Sequence, residues 1–536
     1  MSKIAKYLNQ HVTGNVYAGK EILEKYSTDK SILNIRPQTV AMPENTEDIR
    51  KLVKFAYQMT EKGVKLSVTP RGGGNDKTGA AIGDSMVVSM ERMNGILEID
   101  PRQKLVRVQP GVTMETLNSA LALHGLKLPV EPICGKHTVG GMIANNLLGK
   151  MSPKYGRFFD YISQMELILS NGDVLQTNRL SKRELGHKKG LRSLEGDIYR
   201  RLDSLIDDRK EVLDELISED SLDNFGYESI SLVKNKDGAF DLMPIFFASQ
   251  GTLGVVSEVI LKADFVEEKI DYLWAEFESY DQARDLIDFS MPLEPVVLDI
   301  FTAGLLEVAE NMGRMLKIVD RKNGKPPKAG LLIGFGDQNK KTRTRKLKKI
   351  VKFMGSGKGE FGLSSDENLG EFEKLRNIVM IYLNDDSDGV RMPVFDSAYV
   401  PFNFLGEYLS QVGALAKNCM MKLDVYGSVL TGVYNVRPGF DLANLGDRQK
   451  VFKMLGAYSE IIRSVEGSIT GDGAEGRVKA VMTQKYVDDR LADTYKHVKE
   501  IFDPKNVMNP GVKTDAVLAD LVTRLRKDYD EGVIVE

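Results

Sequence analysis

The stretch Thr69-Pro70-Arg71-Gly72-Gly73-Gly74-Asn75-Asp76-Lys77-Thr78-Gly79-Ala80-Ala81 constrains this chain more than any other. It joins two apolar segments, Val64–Val68 and Met86–Met90, that both read as strands. Three successive glycines carry no side chain to hold a ligand away, and they accept backbone angles closed to other residues. Amides in such a turn can point one way and make a nest for an anion. A dinucleotide pyrophosphate suits that nest. The loop is not a Walker A motif, because Ala80 and Ala81 follow Gly79 where Lys and Ser/Thr are needed. It is not a Rossmann fingerprint either, since Lys77 stands at the third glycine and a strand follows instead of a helix. Taken alone, a glycine-rich surface hairpin remains an alternative.

The chain has 536 residues, enough for two or three domains with large cores. A net charge of -3 argues against a general nucleic-acid-binding surface. Cys134 and Cys419 are too few for a disulfide framework or a cysteine-rich metal or iron–sulfur site. Met1–Leu8 lacks the apolar core of a signal peptide, and no apolar run reaches the length of a membrane span. The expectation is a cytoplasmic protein without a transmembrane segment, with peripheral contact to a membrane or a partner left open.

Residues 1–35 read as a helical lead-in. Thr46 opens a helix through Ile49, Leu52, Val53, Ala56 and Met59. Strands follow the glycine loop at Ile96–Ile99 and Leu105–Val108, and Thr113 caps a helix running to His124. Glu131–Asn146 is a second stretch of small and polar residues, where a passage from loop to helix would point free amides at an anion. Asn171-Gly172 between Met165–Ser170 and Val174–Thr177 signals a hairpin. Residues 179–240 read as a charged, helical insertion, and Phe246–Ser257 as a return to buried strand.

A second domain begins near 265. Leu273–Glu278, Val296–Phe301, Leu331–Phe335 and Val394–Val400 read as strands, with helices at Asp281–Phe289 and Lys340–Phe353. Two strand–helix–strand units predict an α+β sheet of the ferredoxin-like sort. The Lys340–Phe353 helix carries a basic face that could meet RNA or acidic lipid, but acidic stretches elsewhere offset it and it reads most simply as a solvated outer surface. Phe502–Gly511 sets turn formers beside a helix end and brings Asn509 into a buried-looking corner.

Four pieces thus stand in order: Arg71-Gly72-Gly73-Gly74, Thr138-Val139-Gly140-Gly141 with Asn146, Gln250-Gly251-Thr252-Leu253-Gly254, and Asp503-Pro504 with Asn509-Pro510-Gly511. The pattern resembles the FAD-linked oxidases of the vanillyl-alcohol oxidase / p-cresol methylhydroxylase superfamily, nearest to the branch of D-lactate and glycolate dehydrogenases. The resemblance runs from Glu24 to Gly511. It implies a two-lobed, PCMH-type FAD-binding domain over 1–264, with its core from about 33, an α+β cap over 265–480, and a tail, 481–536, that returns to the FAD domain. It implies that FAD lies against Pro70, Arg71, Gly72, Gly73, Gly74, Asn75, Thr78, Gly79, Pro132, Thr138, Val139, Gly140, Gly141, Asn145, Asn146, Gly251, Val255, Val256 and Asn509. Some relatives tether FAD through a histidine directly after the glycines. Asn75 stands there, which implies non-covalent FAD, with His137 as a fallback tether.

Hydroxy-acid dehydrogenases of this group carry cap histidines that hold a divalent metal and the substrate. Ser428, Asn435 and Gly473 stand at those three positions, and none of the chain's five histidines lies near them. No metal site is therefore expected. Arg376, Tyr434, Arg437, Asp472, Glu475 and Arg477 remain as candidates for anion binding and proton transfer, each with a surface or cap-packing salt bridge as its alternative.

The sequence-based expectation is an FAD-dependent oxidoreductase that oxidises a small, anionic organic substrate. A separate acceptor (quinone, carrier protein or oxygen) would take the electrons, and a homo-oligomer is compatible with the chain. The alternatives are a degenerate FAD-binding scaffold and a redox-neutral flavoenzyme of the same superfamily.

Overall fold

The computed structural model describes residues 3–132, 136–217, 224–265, 269–311, 327–355, 359–365, 367–376, 379 and 390–529. Ile133, Cys134 and Gly135 of the second small-residue stretch lie outside them. The chain forms two compact units. The first contains Met1–Lys150, Arg157–Phe265 and Thr470–Arg526, and the second contains Met151–Gly156, Val266–Ile469 and Lys527–Glu536. The chain re-enters the first unit at Thr470, where the sequence points to 481.

Two sheets build the first unit. Asn15–Tyr17 (β1), Thr39–Met42 (β2), Val68–Arg71 (β3) and Met86–Ser89 (β4) run in the order β1-β2-β4-β3, with β4 parallel to both β2 and β3. The helix Thr46–Glu61 starts where the Asn45 side chain accepts the Asp48 amide, satisfying one orphan donor of the first turn. Its buried Ile49, Leu52, Val53 and Ala56 pack with Val68, Met86 and Val88, as their helical spacing requires.

Ile96–Asp100 (β5), Leu105–Val108 (β6), Ile162–Ile168 (β7), Val174–Gln176 (β8) and Val255–Lys262 (β9) form an antiparallel sheet in the order β5-β6-β9-β7-β8. Asn171-Gly172 turns β7 into β8, with Gly172 at φ +87°. The region after β8 is helical at Lys182–Lys189, Leu194–Asp208 and Lys210–Leu216.

The second unit centres on Asp271–Phe277 (β10), Val297–Thr302 (β11), Ala329–Phe335 (β12) and Glu360–Leu363 (β13). Helices Tyr280–Ser290 and Lys340–Met354 follow β10 and β12. The order β13-β10-β12-β11, antiparallel throughout, is the ferredoxin-like arrangement. Of the remaining strands, Val390–Arg391 (β14) pairs with Gly439–Phe440 (β18) alone. Ala398–Tyr399 (β15), Val425–Ser428 (β16) and Val433–Val436 (β17) extend the main sheet beyond β11 as β16-β17-β15.

One expected strand is corrected. The fourth ferredoxin-like strand is β13, not Val394–Val400. Pro393 starts a 3-10 turn, Pro393–Phe395, because it supplies no ladder N–H, and only Ala398–Tyr399 pairs there. Trp274, Phe301, Leu332, Phe372 and Leu375 fill the core of this unit.

Candidate functional site

The glycine loop leaves β3 at Arg71, whose guanidinium folds back beneath it. Nη1 donates to the Thr28 carbonyl at 2.8 Å, and the group lies 5.1 Å above the Tyr26 ring. Asp76 organises the far side by accepting the amides of Thr78 at 3.0 Å and Ala80 at 2.7 Å. Asn75 Nδ2 donates to the Lys136 carbonyl at 3.3 Å. A Cβ on Gly72 would strike the Thr138 hydroxyl, so the first glycine is what lets the two segments touch. Among the described residues, no protein acceptor takes the amides of Gly73, Gly74 and Asn75. Three successive unspent donors in a loop nearly bare of side chains fit a diphosphate.

The second stretch behaves differently. Thr138 caps the helix Val139–Asn145 and accepts the Gly141 amide at 3.2 Å. Val139 and Gly140 donate to the carbonyls of Val112 and Pro110, both at 2.9 Å. The free amides expected at this helix start are therefore already engaged by protein. Asn146 sits at φ +50° and donates through Nδ2 to Asn224 at 2.7 Å. Its buried Oδ1 has no partner among the described residues. Pro132 is buried.

Gln250 ties these segments together. Its Nε2 donates to Asn145 Oδ1 at 2.8 Å and to Thr78 Oγ1 at 3.2 Å, while Oε1 accepts the Gly476 amide at 2.8 Å. Gly251 follows at φ +71°, with Pro70 Cγ 2.8 Å from where a Cβ would stand. Asn509, fully buried, donates to the carbonyls of Ala80 at 2.9 Å and Gln250 at 2.8 Å. It accepts from Thr69 Oγ1 at 3.1 Å and from Arg477 at 3.3 Å. Arg477 also donates to the carbonyls of Gly79, Pro510 and Ile82. Burial lowers its pKa to about 10. The glycine-loop stretch (through Thr69, Thr78 and Ala80), Asn145, Gln250 and Asn509 thus share one hydrogen-bond network. Val255 packs in the core below it, and Val256 is half-buried on the same strand.

The remaining candidates have partners of their own. In the second unit, Arg437 and Asp396 form an ion pair at 2.8 Å with both side chains 2% exposed. Arg376 Nε lies 2.9 Å from Asp299 and is more accessible, at 17%. Tyr434 is fully buried on β17, its hydroxyl has no partner among the described residues, and burial holds its pKa far above the ordinary phenol value. The phenol therefore stays protonated at neutral pH.

In the first unit, Glu475 pairs with Lys513 at 2.7 Å, both wholly buried, and accepts the Gly226 amide at 2.9 Å. Burial raises its pKa, and Lys513 opposes that shift. Asp472 accepts the Leu148 amide at 2.8 Å. Burial raises its pKa too, against the positive charges of Lys77, His137 and Lys479. Sequence reasoning missed Gln250 and Asp76 as organisers of the loop. For Asp76 the signal was present, an Asp two residues before Thr78 in a turn.

Two family models match the chain. An FAD binding domain matches residues 37–178, and the C-terminal domain of FAD linked oxidases matches residues 267–512. The chain belongs to the FAD-linked oxidases. FAD is the cofactor of this family. The open glycine-loop amides lie within the match to the FAD binding domain, and Gln250 and Asn509 belong to the same compact unit of this FAD-linked oxidase. The D-2-hydroxyglutarate dehydrogenase of Haemophilus influenzae is 24% identical, over 98% of this chain and 53% of its own length. The chain spans about half the length of the curated relatives first matched. The D-lactate dehydrogenase of Archaeoglobus fulgidus is 24% identical over 88% of this chain and 90% of its own. A substrate-bound p-cresol methylhydroxylase structure shares the fold, with a TM-score of 0.65 at 15% identity, over 94% of each chain. No helix among the described residues is long and apolar enough to cross a membrane.

Proposed function

We propose that this FAD-linked oxidase is an FAD-dependent oxidoreductase that removes a hydride from a small anionic organic molecule, with 2-hydroxy acids as the first class to test. The observation that carries the reading is the set of unspent amides at Gly73, Gly74 and Asn75, held in place by Asp76, Gln250 and Asn509. These amides would bind the diphosphate. Bound FAD supplies a hydride acceptor. With Asn75 where some relatives place a tethering histidine, the cofactor is held non-covalently.

For the substrate, Arg376 is the candidate for the anionic group, since Arg437 is sealed in its pair with Asp396. Within the first unit, Asp472 is the candidate proton acceptor, a carboxyl whose pKa burial raises. Pro132, Thr138, Val139, Gly140, Gly141, Asn145, Asn146, Gly251, Val255 and Val256 are proposed to shape the berth around the loop. Electrons would leave to a separate quinone, carrier protein or oxygen. The names of the relatives, a D-2-hydroxyglutarate and a D-lactate dehydrogenase, support a 2-hydroxy acid. Ser428, Asn435 and Gly473 in place of cap histidines support a route without bound metal.

The experiment is anaerobic titration of FAD-loaded protein with a panel of 2-hydroxy acids, with and without a chelator. Bleaching of the flavin by one of them, unaffected by the chelator, supports the reading. A flavin that no member bleaches contradicts the substrate class, and loss of bleaching on chelation contradicts the metal-free route.

A further inference from the structure

The helix Lys340–Met354 is divided by charge. Its buried face carries Leu347, Ile350 and Met354, with Arg343 held at 3.0 Å by Asp271. Lys346 lies over the Phe335 ring and reaches Asp337 at 3.1 Å. The acids nearest the helix are thus taken by its inward-facing cations. Outward stand Lys341, Arg345, Lys348, Lys349 and Lys352, all exposed. Their spacing sets them within an arc of about 100° on one face. Among the described residues, no acidic side chain pairs with any of the five. The helix packed beside it, Tyr280–Ser290, carries Asp281, Asp285 and Asp288, which confine the positive face to this one helix.

A merely solvated face does not look like this. Elsewhere on the surface, basic residues sit one turn from acids, as in Arg50–Glu47, Lys374–Glu371 and Lys450–Asp447. Here Lys341–Arg345, Arg345–Lys349 and Lys348–Lys352 are like-charge neighbours four residues apart, each of which weakens the helix. Lys340 and Lys341 also crowd the positive end of the helix dipole, and the first turn has no acid. Several local rules are broken in the same direction on the same face, a pattern that belongs to a working surface.

We infer that this face docks the protein on an anionic lipid bilayer. Four of the five groups are lysines, compact point charges suited to a diffuse negative surface, where arginine forks suit individual phosphates. The stripe presents no exposed ring for stacking on bases, because Phe353 is stacked on Phe289 at 4.4 Å. It offers no apolar anchor of the kind that centres a protein–protein interface. In a chain of net charge -3, a helix that carries eight cations and no acid is oriented by a charged plane. The docking is electrostatic and peripheral, and it does not depend on the proposed chemistry.

The test is flotation of the full FAD-loaded chain with vesicles of phosphatidylcholine, alone or mixed with phosphatidylglycerol. It compares the parent protein with a Lys341→Glu, Lys348→Glu, Lys352→Glu variant. The three positions are exposed, and an unchanged circular dichroism spectrum and melting transition confirm that the variant is folded. Each basic group near such a surface contributes about fivefold to partitioning. The parent should float with the mixed vesicles only and be released by salt, and the variant should lose at least roughly tenfold. Equal flotation with both vesicles, or a variant that floats like its parent, overturns the inference. So does release by duplex DNA at equal phosphate, which would mark a general polyanion patch.

Discussion

Asn509 donates to the Gln250 carbonyl at 2.8 Å across 259 residues of sequence. The bond joins the tail to the segment that steadies Thr78 and Asn145, so the glycine loop is held by residues from both ends of its unit.

Asn509→Asp keeps the size of the side chain but replaces its two donated hydrogens with an oxygen facing the Ala80 and Gln250 carbonyls. Two buried acceptors left unpaired should cost about 2–4 kcal/mol. Urea unfolding of the apo protein measures this, and FAD affinity should fall with it. Unchanged stability would remove Asn509 from the network.

Gly72→Ala should weaken FAD binding because the new methyl group meets the Thr138 hydroxyl. Adding Thr138→Ala relieves that contact at the loss of a helix cap worth about 1 kcal/mol. Fluorescence titration should show affinity partly restored in the double variant. Additive losses would mean that close approach of the two segments is not what the glycine provides.

Asp29 lies under the loop, where burial and the nearby Asp76 charge push its pKa up to about 7. The native state therefore holds this proton more tightly than the unfolded chain, whose carboxyl titrates near about 3.9. Stability from this group is present at low pH and falls as pH rises through the window between those values, by a few kcal/mol. Asp29→Asn keeps an acceptor for the Ser31 amide and removes the titration. Its unfolding free energy should exceed the parent's above pH 7, with a flatter profile across that window. A parallel profile for parent and variant would contradict this.

Glu475→Gln separates a structural role from a catalytic one. It leaves Lys513 buried and charged without a counter-ion, at a cost of about 3–5 kcal/mol. Thermal or urea unfolding should register that loss, while the rate of flavin reduction in the folded fraction stays near the parent's. A large fall in that rate without a stability change would place Glu475 in the chemistry.

What the residues reveal in advance follows from how local the physics is. The Asn171-Gly172 hairpin and the helix Thr46–Glu61 are legible because turn geometry and apolar spacing act within a few residues. The glycine loop is legible for the same reason. Gln250 and Arg477 are not, since their partners stand 172 and 398 residues away. A polar residue seen alone in a sequence looks the same whether it meets substrate or a distant carbonyl. Tyr434 and Arg437 fall in glycine-punctuated sequence that suggests a cleft, yet strand pairing and the Asp396 pair bury both. The strand Glu360–Leu363 is short and follows a glycine, which hid it from pattern reading.

The backbone amides of Gly73, Gly74 and Asn75, open in this fold, are proposed to hold the diphosphate of FAD. The most direct measurement is titration of the apo protein with FAD, followed by acid precipitation to see where the flavin goes. Saturable binding of one FAD per chain is expected, with all of the yellow colour released to the supernatant. A protein that takes up no FAD contradicts it outright, and flavin that stays with the precipitate contradicts non-covalent binding.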